Sequence, residues 1–155
     1  MNQLLGTELF DRFLLAQATI RTDVTYEIDG HYNDGFYPEE IREQELPDGA
    51  QYQTFARLRP VFFSLIRGKH TPVGFQFSFL LSPENQKRTL ARAQTAFSDE
   101  DISGMYIHIR FRDSVLQATT GISYVNFSLD RSLEEAWDKY VQQFFAQSGL
   151  EYTIL

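Results

Sequence analysis

The sequence predicts an α+β fold: an antiparallel, aromatic-rich β-sheet with two or three helices packed mainly on one face. Apolar and polar residues alternate over residues 73–81 and 105–111, which is typical of strands with one buried face. Over residues 133–145 the apolar residues instead recur at helical spacing. The chain contains 14 Phe, 8 Tyr and 1 Trp, so large aromatic rings must form much of the core.

The first quarter of the chain predicts a short helix followed by one long or bent strand. Leu5, Leu9 and Phe13 fit a helical stripe, whereas residues 14–28 alternate strictly. Asp29-Gly30 then predicts a tight reversal, since glycine supplies positive φ angles at little cost. Residues 33–51 are rich in turn formers and predict a mobile loop with one helical turn over residues 38–43.

The middle of the chain predicts a helix, a strand and a second helix. Apolar residues from Phe55 onward follow helical spacing, and Pro60 disfavours helical geometry in the residue before it, so the helix is expected over residues 60–67. The strand over residues 73–81 follows. Ser82 is the predicted N-cap of the next helix, with Pro83 at its first position and its end near Thr95.

The last third predicts three antiparallel strands and a long helix. The strand over residues 105–111 reverses at "RDSV", and the next strand starts at Val115. At Gly121 the apolar phase shifts to Val125, Phe127 and Leu129, which indicates a bulge or second turn. Asp130 or Ser132 caps the final helix, "SLEE" matches a capping box, and Gly149 ends the helix.

Length and composition set limits on the class of protein. The 155 residues, with 43% hydrophobic and 23% charged, predict one domain spanning residues 1–155. The absence of cysteine excludes disulfides, thiolate catalysis and cysteine-bound metal clusters. The first residues do not match a signal peptide, and no run of apolar residues is long enough to span a membrane. We therefore expect a cytoplasmic protein with no membrane partner.

The charge of −7 is unevenly distributed along the chain. The balance is −8 over residues 1–56, +5 over residues 57–112 and −4 over residues 113–155. An acidic total argues against a constitutive, sequence-independent nucleic-acid binder, because such proteins neutralise phosphates. The basic middle third nevertheless predicts a local attraction for anions.

Seven residues of this middle third are the candidate binding residues. They are Arg67, Lys69, His70, Arg88, Arg92, Arg110 and Arg112. Arg67, Lys69 and His70 also suit the neutralisation of a helix C-terminus, which carries partial negative charge. Arg110 and Arg112 alternate with core residues and must point away from the core, which allows a contiguous basic face. The alternative is a solvated surface paired with the acids of residues 39–45.

Histidines and carboxylates offer one candidate catalytic cluster. His31 lies near Asp29, Asp34 and Glu40 in the predicted mobile loop. A calcium loop is not expected there, because Asp34 occupies the position where that motif requires glycine. The three histidines, His31, His70 and His108, lack metal-ligand spacing, so we expect no metal and no cofactor.

Several motifs resemble a family of small uncharacterised bacterial proteins. In order they are "ELFDRFLL", "EIDGHYN", "LRPVFFSLIRGKHTP", "LSPEN", "TTGIS" and "LDRSLEEAWDKYVQQFF". The family is classed as a domain of unknown function and occurs mostly in anaerobic Gram-positive species. The resemblance covers nearly the whole chain and implies a bacterial cytosolic domain. It implies no activity, cofactor or catalytic residue.

Two functional hypotheses follow from these observations. The first is a non-catalytic cytosolic binding or adaptor domain whose basic surface faces an anionic partner, either protein or nucleic acid. The alternative is a small hydrolase-like enzyme that uses His31 and the nearby carboxylates. An adaptor predicts an accessible binding surface, whereas an enzyme predicts a deep pocket with buried titratable groups.

Overall fold

Five antiparallel strands form one sheet in the order β2-β1-β3-β4-β5. The computed structural model describes residues 1–46 and 50–155. The strands are β1 Leu14–Arg21, β2 Thr25–Asp29, β3 Gly74–Leu80, β4 Ile102–Arg112 and β5 Val115–Tyr124. The helices are α1 Asn2–Leu5, α2 Glu39–Glu45, α3 Phe55–Ile66, α4 Pro83–Ala93 and α5 Ser132–Gln147, with a short 3₁₀ turn over Asp99–Asp101. The predicted α+β class is confirmed.

Aromatic rings on the helix side of the sheet form the main core. Phe75, Phe77 and Phe79 alternate along β3 and are at most 3% exposed. Phe62 of α3 packs edge-on to Phe77 with 5.0 Å between ring centroids. Ring pairs of this kind prefer such tilted contacts to face-to-face overlap. Helix α4 adds Leu90 to the same cluster, so α3, α4 and α5 all pack on this side.

Helix α5 packs its apolar stripe on the sheet as its spacing predicts. Leu133, Trp137, Val141 and Phe145 are buried, whereas Tyr140 and Phe144 lie half-buried at the edge of the core. The indole Nε1 of Trp137 donates a hydrogen bond to the Tyr106 carbonyl at 3.0 Å. This contact fastens α5 to the backbone of β4.

The prediction of one long strand over residues 14–28 is wrong. The segment is a hairpin of β1 and β2, with Arg21 opposite Thr25. The Asp23 carboxylate accepts a bond from the Val24 amide at 3.1 Å and from the Thr22 hydroxyl at 2.9 Å, and these contacts form the turn. Because the alternation of apolar and polar residues continues in phase across the turn, the sequence pattern does not reveal the turn.

The predicted tight reversal at Asp29-Gly30 is wrong. The chain continues past Gly30, whose amide bonds to the Ala16 carbonyl, and His31 then bridges Tyr52. Gly30 has no positive φ angle, but a Cβ there would lie 1.8 Å from the Leu15 carbonyl oxygen. Close approach of two backbones therefore requires this glycine. The predicted helical turn in the following loop is present as α2. Residues 47–49 of that loop lie outside the described residues.

The prediction that Pro60 begins the third helix is wrong, because α3 starts at Phe55 and contains Pro60 in its interior. A proline at this position removes a bond to the Ala56 carbonyl. Ala56 and Pro60 are both exposed, so water can satisfy that carbonyl. The predicted cap of α4 is confirmed, since the Ser82 hydroxyl accepts from the Asn85 amide at 3.3 Å next to Pro83.

The third strand predicted after Gly121 is absent from the described chain. β5 continues through Gly121 to Tyr124, and the register shift lies in β4 between Ile102 and Gly104. Val125, Phe127 and Leu129 are 57%, 89% and 84% exposed in a connection without regular structure. Their alternation resembles a strand, but no strand in residues 1–46 and 50–155 pairs with them.

The predicted turn between β4 and β5 is confirmed, whereas the predicted capping box of α5 is wrong. Asp113 and Ser114 of "RDSV" both have positive φ, as a two-residue hairpin turn requires. The "SLEE" capping box is wrong, since Ser132 is inside α5. Asp130 instead accepts a bond from the Ser132 amide at 2.9 Å. Gly149 ends the helix with φ 73° as predicted.

No helix in residues 1–46 and 50–155 is both long enough and apolar enough to cross a membrane.

Candidate anion-binding face

Alternate strand residues point away from the helices and form three rows across four strands. The rows are Gln17, Ser78, His108 and Thr119; Thr19, Gln76, Arg110 and Gln117; and Arg21, Gly74, Arg112 and Val115. We call these residues the open face. Most of them are exposed, Thr19, Ser78 and His108 are half-buried, and Gly74 is buried.

The strand sequences explain why these residues share one face. In β3 and β4, Phe77 pairs with Ile109, and both are buried under the helices. Successive side chains of a strand point to opposite faces, so the neighbours of this pair point outward. One end of the open face is closed by a small second core, in which Leu14, Ala50 and Leu80 pack against Tyr52 and Tyr106.

A depression of about 310 Å³ lies on the open face. It is lined by Gln76, Ser78, His108, Arg110, Gln117 and Thr119. Every one of these side chains carries a hydrogen-bond donor, and none of them is acidic. A lining of this kind suits a ligand group with several acceptor oxygens.

His108 is held in a defined position at one side of the depression. The Ser78 Oγ lies 2.9 Å from His108 Nδ1, and the Tyr106 ring stacks on the imidazole at 5.7 Å with an interplanar angle of 8°. A Cβ at Gly121 would lie 3.3 Å from Nε2, so glycine leaves the ring its space. Burial lowers the pKa of His108 below 6.5, which favours the neutral imidazole.

Ser78 and His108 are the residue types that serve as nucleophile and general base in serine hydrolases. A catalytic serine also needs a third group that orients the histidine, commonly a carboxylate. In the described part of the chain no carboxylate contacts His108, and its Nε2 faces Gly121. The arrangement therefore supports hydrogen bonding to a ligand better than it supports acyl transfer.

The charges of the open face are unequal across the sheet. Arg110 forms no ion pair with any described residue. Arg112 Nε lies 3.4 Å from Asp113 Oδ2, but both side chains are largely exposed, and such pairs contribute little. The acids of the strands are confined to Glu27 and Asp29 of β2. β2 is three strands away from β4, a distance of about 14 Å at ordinary strand spacing.

The structure places two of the seven candidate binding residues on this face. Arg110 and Arg112 lie on it. Arg67, Lys69 and His70 are exposed in the connection from α3, which enters the sheet where Gly74 pairs with Arg112. The Arg67 amide bonds to the Phe63 carbonyl at 2.9 Å at the end of α3.

The other two candidates, Arg88 and Arg92, lie in the helix layer. Arg88 bonds to Glu84 at 2.6 Å one turn earlier on α4. The Arg92 guanidinium lies 4.1 Å from the centre of the Tyr140 ring and donates to Gln143 at 3.0 Å. Since α4 packs on the face opposite Arg110, the seven residues do not form one continuous surface.

The loop carboxylates and His31 do not assemble a centre in the described residues. Asp29 accepts a bond from the His31 amide at 2.9 Å, and the His31 ring packs against Tyr32 and Tyr52. No three His, Asp or Glu side chains within residues 1–46 and 50–155 are placed to hold a metal ion. Among the acids of residues 39–45, Glu45 pairs with Arg57 of α3.

Sequence reasoning missed Ser78 and His108 as neighbours on the open face. "FQFSFL" and "IHIRFR" each place polar residues on one face, which was the available signal. The pairing of Ser78 with His108 depends on the register of β3 and β4. Helix α4 joins these strands, so no tight turn fixes that register in the sequence.

Comparison with known proteins gives one match. The family model described as "Family of unknown function (DUF5721)" matches residues 3–153. The comparisons with curated proteins and with solved structures give no significant match.

Proposed function

The chain belongs to DUF5721, a family of unknown function, and we propose that it is a non-catalytic binding module of the bacterial cytosol. Its open face binds an acidic segment of a partner protein. The observation that carries this proposal is the position of Arg110 and Arg112, two residues apart on β4 beside the polar depression. Both guanidinium groups point into solvent from a rigid strand.

The chemistry of the face favours carboxylates as ligands. A guanidinium group presents donors in a planar fork that matches the two oxygens of a carboxylate. The uncharged donors of Gln76, Gln117 and Thr119 surround it. The strand acids lie farther from Arg110 than the screening length of about 8 Å at physiological ionic strength, so they do not neutralise it.

An acidic protein segment fits this face better than nucleic acid does. Proteins that bind single-stranded nucleic acids commonly provide exposed aromatic rings on which the bases stack. The aromatic ring nearest the depression, Tyr106, is half-buried and already stacked on His108.

The loop before β3 extends the proposed face. Arg67, Lys69 and His70 are exposed, and their connection meets the sheet beside Arg112 and Arg21. Arg88 and Arg92 are left out of the proposed face because they lie in the helix layer.

The proposal is tested by fluorescence anisotropy with a labelled oligoglutamate peptide and a labelled oligothymidylate. The wild-type protein should bind the peptide, and binding should weaken as salt rises. The double variant Arg110→Glu, Arg112→Glu should lose the binding. Lys87→Glu, Arg88→Glu is the matched control, since it makes the same change in net charge on the exposed side of α4.

Three results would contradict this function. Equal loss in both double variants would mean that net charge alone drives the attraction. Preferential binding of the oligothymidylate would identify nucleic acid as the partner class. No binding of either probe by the wild-type protein would reject the open face as an anion-binding surface.

A further inference from the structure

We propose that the free edge of β5 pairs with β5 of a second copy of this chain, antiparallel, so that two sheets join into one. β5 is the last strand of the sheet and contains 10 residues. One side of it has no strand partner in the described chain. Unpaired edges of this length present a row of backbone donors and acceptors that can pair with another strand.

The β5 edge lacks the features that usually prevent such pairing. Proteins protect edge strands with charges, prolines, bulges or short length. The opposite edge, β2, has 5 residues and carries Glu27 and Asp29. Residues 114–129, which contain β5, have no charged residue and no proline.

The apolar side of the sheet also continues to this edge without cover. Leu116 pairs with Phe111 and points to the helix side, yet it is 52% exposed. Beside it lies a groove of about 1400 Å³, lined by Ile109, Val141 and Phe145 and, along another side, by the C-terminal residues 150–155. An added strand would extend this face and cover Leu116.

Charge complementarity favours a second copy as the occupant. The hairpin end of β5 follows Arg110, Arg112 and Asp113, which together carry a net charge of +1. Its other end lies beside the acidic turn Asp99–Asp101, where the Val125 amide bonds to the Asp101 carbonyl at 2.8 Å. Antiparallel pairing brings the basic end of each copy to the acidic end of the other. The uncharged strand between them pairs with itself without placing like charges opposite each other.

Sedimentation velocity of the full chain over a wide concentration range tests this proposal. We expect a reversible equilibrium between monomer and dimer. Leu116→Lys should lower the association constant by about tenfold or more, since it places a charge on an edge strand whose apolar side the second copy would cover. Val24→Lys is the matched control, because Val24 is also 52% exposed but lies in the turn between β1 and β2.

A second variant guards against a folding defect. If Leu116→Lys lowers the melting temperature, Val115→Lys replaces it, since Val115 is 54% exposed on the other face of the same strand. A wild-type protein that remains monomeric throughout overturns the proposal, as does an equal effect of the β5 and Val24 variants. Binding of the oligoglutamate peptide does not require the dimer, so the two proposals fail separately.

Discussion

The two faces of the central sheet use the same strands for different physical purposes. On the helix face, Phe77 is fully buried and contacts Phe55, Phe62, Phe75 and Phe79. On the open face, its neighbour Gln76 is exposed and its neighbour Ser78 is half-buried. Within one alternating strand, the residues that stabilise the core and the residues available for binding therefore occupy alternate positions.

This separation gives the open face a rigid support. Arg110 lies between Ile109, which is buried, and Phe111, which packs against the core. Binding groups on a packed strand keep their spacing, so less conformational entropy is lost when a ligand binds. Substitutions on the helix face should therefore change stability most, and those on the open face should change binding.

The largest expected effect is that of Phe77→Ala. Removing a fully buried ring leaves a cavity and should lower the free energy of unfolding by about 3–5 kcal/mol. Gln76→Ala, one residue earlier and exposed, should change it by less than about 0.5 kcal/mol. Urea unfolding of both variants measures the difference. Similar values for the two would contradict the separation of the faces.

Trp137→Phe should have the next largest effect. It removes the indole donor from the Tyr106 carbonyl at the junction of α5 and β4. Loss of this hydrogen bond should cost about 0.5–1.5 kcal/mol, and the smaller ring adds the cost of a cavity. Tyr140→Phe is the control, because Tyr140 lies at the half-buried edge of the same helix. Thermal melts that rank Tyr140→Phe as the more destabilised would show that the indole contact is not important.

A smaller effect should appear in the pH dependence of stability. Burial lowers the pKa of His108 below 6.5, so below about that pH the unfolded chain binds more protons than the folded one. The free energy of unfolding should decrease as pH falls through 6.5 and level off below the folded pKa. Urea unfolding at several pH values should show a weaker decrease in His108→Gln. An identical slope in both proteins would rule out the buried imidazole as its cause.

The smallest effect on stability is expected for Arg110→Glu, Arg112→Glu. Both side chains are exposed, and the contact of Arg112 with Asp113 contributes little. The melting temperature should stay within a few degrees of the wild-type value, roughly the shift from 1 kcal/mol in a domain of this size. A large drop would show that these arginines stabilise the fold, contrary to a binding role.

The sequence predicted the two faces well where the pattern depends on a single strand. The alternation in β3 and β4 assigned Arg110 and Arg112 correctly to the side away from the core. Alternation failed where strands begin and end, because the turn at Thr22 to Val24 preserves the phase and Val125 to Leu129 imitate a strand with no partner. The periodicity of one segment does not show which strand, if any, pairs with it.

The candidate site was predictable only in part for the same reason. The direction of each side chain follows from period two, but the neighbours across the sheet follow from register. The contact between Ser78 and His108 and the placement of α4 on the opposite face from Arg110 are tertiary features. These features determine which basic residues lie together.

The most direct test of the central claim is an NMR titration of the ¹⁵N-labelled full chain with the oligoglutamate peptide. Binding at the open face predicts amide shift changes centred on Ser78, His108, Arg110 and Arg112, with little change in α4. Changes centred on α4 and α5, or changes spread evenly over all basic residues, would contradict the assignment of the open face as the binding surface.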